Sequence, residues 1–188
     1  MTTPTPAPLC VVGGQVQDPV AAPVLTGVLE AVLATYDALP EESTIQGPCA
    51  AGIVAGAAAA LDRGLDCADG CLGMLWVRLV NVFPSRQFPA ADVTPAPGPL
   101  SWAVIVEVGV VRPAPVMEDA AGELIIPSME EEQAAAALAV TDAAILRSAL
   151  LTQYADAEDV SIVLGVWTPL GPDGGVVGGA VTATIQVT

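Results

Sequence analysis

The chain predicts one α+β domain: a mostly antiparallel β-sheet of about four strands with two main helices packed on one face, in the order helix–strand–strand–helix–strand–strand. Three observations carry that reading. Two segments repeat apolar residues at helical spacing behind recognisable helix-start signals. Four segments are apolar in strand-like runs, and one of them alternates without error. The strands come in adjacent pairs with no helix between pair members, which favours antiparallel pairing. The 188 residues suit a single core. We place a flexible lead at 1–17, rich in Pro and Thr at 2–8, and the domain at 18–188.

The first helix starts at Asp18-Pro19, with Asp as N-cap and Pro at the first helical position, or slightly later with Pro23 in that place. Val24, Leu25, Val28, Leu29, Val32, Leu33 and Tyr36 then form one wide apolar stripe that runs to about Leu39, before Pro40. Residues 40–73 are the least readable stretch, with a short helix suggested at 57–61. Asp62, Asp66 and Asp69 are spaced too widely for a calcium loop, so they read as a solvated polar loop.

Residues 74–83 are apolar on both faces except at Arg78 and Asn81, which suits a central strand. Residues 102–112 follow as a strand whose even positions, from Trp102 to Val110, make an apolar face, with Glu107 and Gly109 on the other. Between them, 84–99 carries five prolines and reads as a projecting loop. Residues 116–127 form a second, acidic loop.

Ser128 opens the second helix with a capping box to Glu131, and Glu130, Glu131 and Glu132 place negative charge in its first turn. That helix extends to about Tyr154 through Leu138, Ile145, Leu146, Ala149 and Leu150. Two strands close the domain, at 160–168 and 181–188. In the latter, Val181, Ala183, Ile185 and Val187 point one way, and Thr182, Thr184, Gln186 and Thr188 the other. The glycine-rich stretch 171–179 joins them strand to strand. It lacks a lysine and opens no helix, so its glycines serve positive φ angles or close backbone packing and not phosphate binding.

Composition narrows the chemistry. There is no histidine, and the five cationic side chains are all arginine: Arg63, Arg78, Arg86, Arg112 and Arg147. Without histidine there is no Ser-His-Asp or Cys-His pair and no His-ligated zinc. Without lysine there is no P-loop clamp and no Schiff base. The missing lysine, beside abundant Ala, Val, Gly, Pro and Asp, also matches coding bias in a GC-rich genome, and the exclusions hold under either cause. The net charge of −16 repels phosphate backbones and anionic membrane. No basic leader precedes the domain and the richest apolar run, 50–61, is too short to span a bilayer, so a soluble chain is expected, cytosolic at synthesis. Nothing suggests secretion, so Cys10, Cys49, Cys67 and Cys71 read as reduced thiols, and Cys67 and Cys71 are one residue too far apart for a zinc knuckle.

The chain resembles tail-terminator proteins of tailed phages of actinobacteria. The resemblance is carried by Cys67-Ala-Asp-Gly-Cys71 running into Gly73-Met-Leu-Trp-Val-Arg-Leu79, and by Val82-Phe-Pro-Ser-Arg86 with Phe88-Pro89. Further residues are Val104-Ile-Val-Glu-Val-Gly-Val-Val-Arg-Pro-Ala-Pro115 and Gly165-Val-Trp-Thr-Pro-Leu-Gly-Pro-Asp-Gly-Gly175 with Gly178-Gly179. It spans about 20–188. The chain departs from the family where further cysteines stand within the C-terminal glycine loop and beside Cys71. Val176 and Val177 occupy that loop here, which argues against a shared metal or disulfide site.

The resemblance implies a similar fold and a homo-oligomeric ring, usually a hexamer, that caps the tail tube and joins it to the head–neck connector. The expected partners are further copies of the chain, the tail tube protein and a neck or head-completion protein, with DNA crossing the lumen without specific binding and no membrane. Assembly in the host cytoplasm and a place at the tail–neck junction of the virion follow. No catalytic residue, cofactor or metal is implied. We expect carboxylates near Glu107, Glu118, Asp119 or Asp173 to face the lumen or a stacking interface. Arg78, Arg86 and Arg112 are expected to make ion pairs between subunits or rings, and Arg147 to pair with Asp142 or a neighbour inside the chain. The competing readings are a stopper ring, a minor tail protein, a secreted binding module with paired cysteines, and an enzyme relying on a carboxylate pair or on Cys67 or Cys71.

Overall fold

The computed structural model describes residues 18–40, 43, 45–56, 73–92, 101–115, 117–118, 124–155, 160–173 and 175–187. The lead at 1–17, the short helix expected at 57–61, Cys10, Cys67, Cys71, the three aspartates around them and Asp119 lie outside these residues.

Helix α1 covers Ala21–Asp37. Asp18 caps its entry as expected: Oδ1 accepts from the Val20 and Ala21 amides, each at 2.8 Å. Those two bonds, the Ala21 one foremost, hold the Asp18 carboxyl below its usual range. The expected stripe forms, with Val24, Leu25, Val28, Val32 and Tyr36 buried. Helix α2 covers Met129–Tyr154 behind Ser128, whose side chain and that of Glu131 complete the capping box.

The expected mostly antiparallel sheet of about four strands is present in outline and differs in detail: among the described residues it has five strands, one pair of them parallel. The strands are β1 (Ala50–Val54), β2 (Met74–Pro84), β3 (Trp102–Pro113), β6 (Ile162–Asp173) and β7 (Val176–Val187). Their order across the sheet is β1-β2-β3-β7-β6. β1 lies parallel to β2, while the other neighbours are antiparallel. β1 escapes sequence reading because Ala-Ala-Gly-Ile-Val is short and carries small side chains with weak strand preference. β2 is interior, as its two apolar faces require. The acidic stretch expected as a loop holds a two-residue ladder, β4 (Met117–Glu118) with β5 (Leu124–Ile125).

The glycine stretch 171–179 is another correction. β6 and β7 extend into it and pair as far as Asp173 with Val176, so a strand ribbon replaces most of the expected loop. Gly171 and Gly175 take φ of 90° and 77°, which supplies the reversal.

Both helices pack on one sheet face. The even positions Val104, Val106, Val108 and Val110 of β3 are fully buried there, beside Leu75 and Val77 of β2 and Val181, Ala183 and Ile185 of β7. A smaller cluster on the opposite face joins Met74, Trp76, Val111, Val176 and Ala180. By length and composition α2 is apolar enough to cross a membrane. Its second half is core instead, with Ala143, Ile145, Leu146, Ala149 and Leu150 buried in this domain.

Candidate functional site

Few cations and many acids mean that the positions of the arginines decide the electrostatics. Arg78 on β2 lies directly opposite Glu107 on β3. Its Nε and Nη2 donate to the two Glu107 oxygens at 2.6 and 2.8 Å, a bidentate pair. The Trp76 indole N–H donates to the same carboxylate at 3.2 Å. Burial pulls the Glu107 carboxyl upward, but the bonds from Arg78 and Trp76 and the Arg78 charge outweigh it, so its pKa is lowered. The Arg78 guanidinium is raised in turn, first by its bond to Glu107. This group sits on the sheet face away from the helices, next to Thr182 of β7.

A second group lies where α1, α2 and β3 meet. Asp142 is 1% exposed, on the inward side of α2. Its oxygens accept from Arg112 Nε at 2.7 Å and Nη2 at 2.8 Å, and from the Tyr36 hydroxyl at 2.8 Å. Arg112 Nη2 also donates to the Gln46 carbonyl at 3.0 Å. Burial opposes the Arg112 charge, yet the Asp142 bond and charge raise its pKa. Burial, then the Asp142 charge, drives the Tyr36 hydroxyl far above its ordinary value. One buried carboxylate therefore fastens two helices, a strand end and the segment after α1.

Arg86 reaches Asp92 at 3.5 Å inside a compact turn after β2, where buried Ser85 donates to the Ala90 carbonyl at 2.7 Å. Ser101 closes the base of that turn by donating to the Ser85 carbonyl. The start of the proline-rich connection is thus folded back on itself, while 93–100 lie outside the described residues. Asp173 stands at the end of β6, and Glu118 in β4.

Arg78, Arg86 and Arg112, expected to pair between subunits or rings, each meet a carboxylate within the chain. The expected Arg147–Asp142 pair does not form. Residues five apart on a helix point in different directions, unlike those three or four apart. The signal for the true partner was present: Asp142 falls within the apolar stripe of Leu138, Ile145, Leu146 and Ala149, and a carboxylate so placed needs a buried cation. The Trp76–Glu107 bond was also legible in part, since Gly109 leaves room for a large neighbour.

Chemically, both carboxylates are saturated by charged donors, which suits fastening more than proton transfer. Among the described residues, no group of three His, Cys, Asp or Glu could hold a metal ion. Compared with known proteins, the chain matches no family model and no curated protein.

The two tyrosines give a direct test of this packing. Tyr154 is pushed up to about 12 by burial, and Tyr36 further. Both folded values lie above the unfolded one, so the stabilisation is complete below pH about 10 and is lost as pH rises beyond it. Tyrosinate absorbance should stay near zero at about pH 10 in the native chain and reach half its maximum there in urea. Stability should fall by roughly 1 kcal/mol per pH unit above that for Tyr36, and by less for partly buried, water-screened Tyr154. Native ionisation of either tyrosine near pH 10 would contradict the buried placement.

Proposed function

We propose that the chain is a structural virion protein that forms a ring, hexameric as in the family it resembles, capping the phage tail tube and joining it to the head–neck connector. The observation that carries this reading is the architecture: both helices lie on one face of the sheet, and the other face carries only a small buried cluster beside the Arg78–Glu107 pair, with no helix over it among the described residues. In the proposed ring that face meets a neighbour, and Arg86 and Asp173, at the ends of strands, lie toward the stacked rings. Because Arg78 and Arg112 are already neutralised within the chain, the surface is left acidic overall, at a net charge of −16 for the whole sequence. Such a lumen offers DNA phosphates no counter-charge, and the genome passes without being held.

The test is position. In a cryo-EM reconstruction of the virion, the chain should account for a ring of density between tail tube and neck. Density on the head side of that junction would make it a stopper ring, and density along the tail a minor tail protein; either result rejects the proposal.

A further inference from the structure

The outward side of α2 carries an inference independent of the ring. Only six residues of this 26-residue helix are buried, all between Asp142 and Leu150. Yet by length and composition the helix is apolar enough to cross a membrane, more than burial along one short stretch requires. Glu130, Gln133, Ala137, Val140, Ala144, Arg147 and Leu151 are all exposed, and they follow one another at alternating spacings of three and four. That is the spacing of a coiled-coil seam, on the side away from the core. Val140 is 67% and Leu151 50% exposed, large values for such residues.

The seam is also complementary to itself. Reversed about a point between Leu138 and Ala139, it matches Glu130 with Arg147, Gln133 with Ala144, and Ala137 with Val140. Leu151 then meets the exposed Ile126 just before the helix. Arg147 is the arginine that forms no ion pair among the described residues. Glu130 is exposed in the acidic first turn. Two copies laid antiparallel therefore place each unpaired cation against an acid, twice by symmetry, with alanines in the middle where two helices must approach to about 8–10 Å.

We propose that α2 is a homodimer seam, the antiparallel partner being α2 of a second copy of this chain. The charge match selects that occupant. Two chains of net charge −16 repel each other in general, so self-association needs a local place where the signs alternate. A symmetric seam joins copies in pairs, which a head-to-tail ring contact does not do, so the two contacts use different surfaces.

The test is a charge swap read by size-exclusion chromatography with light scattering at about 50 µM chain, where mass action favours pairing. Wild type should contain the dimer, alone or as pairs within a larger assembly. Arg147→Glu and Glu130→Arg should each weaken pairing by about thirtyfold, since each reverses two ion pairs. The double variant should restore it, with circular dichroism unchanged throughout. A wild type without pairs, a single reversal that leaves pairing intact, or a double variant that stays apart would each overturn the proposal. Because the ring uses other surfaces, a ring that persists after Arg147→Glu while the pairs are lost supports the seam, and pairs that persist reject the seam and leave the ring reading standing. Loss of pairs from a chain located elsewhere in the virion would do the opposite.

Discussion

Replacing Arg112 by alanine should lower the stability of the isolated chain by about 3–5 kcal/mol, because it strands a buried carboxylate. Asp142 is 1% exposed and keeps only the Tyr36 hydroxyl once the guanidinium is gone. For a chain of this size that is about 10 °C or more in melting temperature. The sequence alone suggests a different outcome, a folded monomer with weakened assembly, since Arg112 reads there as an interface residue. Tyr36→Phe removes one neutral donor and should cost about 1 kcal/mol. Arg112→Met combined with Asp142→Leu removes both charges and should be more stable than Arg112→Ala alone. Urea unfolding of the three variants beside wild type decides it. An Arg112→Ala chain within 1 kcal/mol of wild type, against the range expected for a broken buried pair, would mean that the carboxylate finds water or another donor.

The second large effect is expected at Gly109. A Cβ built there would sit 2.1 Å from Cζ2 of Trp76, far inside contact distance. Trp76 is 1% exposed and lies flat over this glycine, the largest side chain in the small cluster opposite the helices. Gly109→Val should cost about 3 kcal/mol or more by forcing the indole out of its place and away from Glu107. Trp76→Ala should cost about 3–5 kcal/mol through the cavity it leaves. The two must couple: with the indole gone, a side chain at 109 has room, and the double variant should be no worse than Trp76→Ala alone. Additive losses would show that Gly109 is needed for its backbone instead. A parallel case lies on the helix face, where a Cβ at Gly179 would meet Trp167 at 2.2 Å.

Much of this fold was legible because periodicity reports burial directly. The α1 stripe, the Ser128 capping box, the even-position face of β3 and the alternation in β7 all follow from residue order alone. What escaped depended on partners distant in sequence. β1 is a strand because β2 offers it an edge, and its five small residues carry no signal of that. The strand ribbon at 171–179 looked like a loop, since glycines there mark both the reversal and the close approach of Trp167. The ion pairs within the chain were not read for a geometric reason: which arginine meets which acid is set by sheet register and helix face. Arg78 opposite Glu107 required the β2–β3 register. Asp142 carried a signal that went unused: a carboxylate inside an apolar stripe calls for a buried cation, and exposed Arg147, five residues on, could not be it.

The place of β7 between β3 and β6 also has a consequence for how the protein comes into being. β3 pairs along its whole length with β7, from Trp102 with Val187 to Pro113 with Val176. On a ribosome, β3 emerges long before this neighbour, and the whole of α2 and β6 is made in between. Until then β3 can pair with β2 alone, and the nascent chain exposes the other edge of a valine-rich strand, a hazard for association with other chains. Sequestration by a chaperone, or completion of the sheet only near the end of translation, would protect it. Long-range pairing of this kind also makes folding slow relative to helical proteins of the same length.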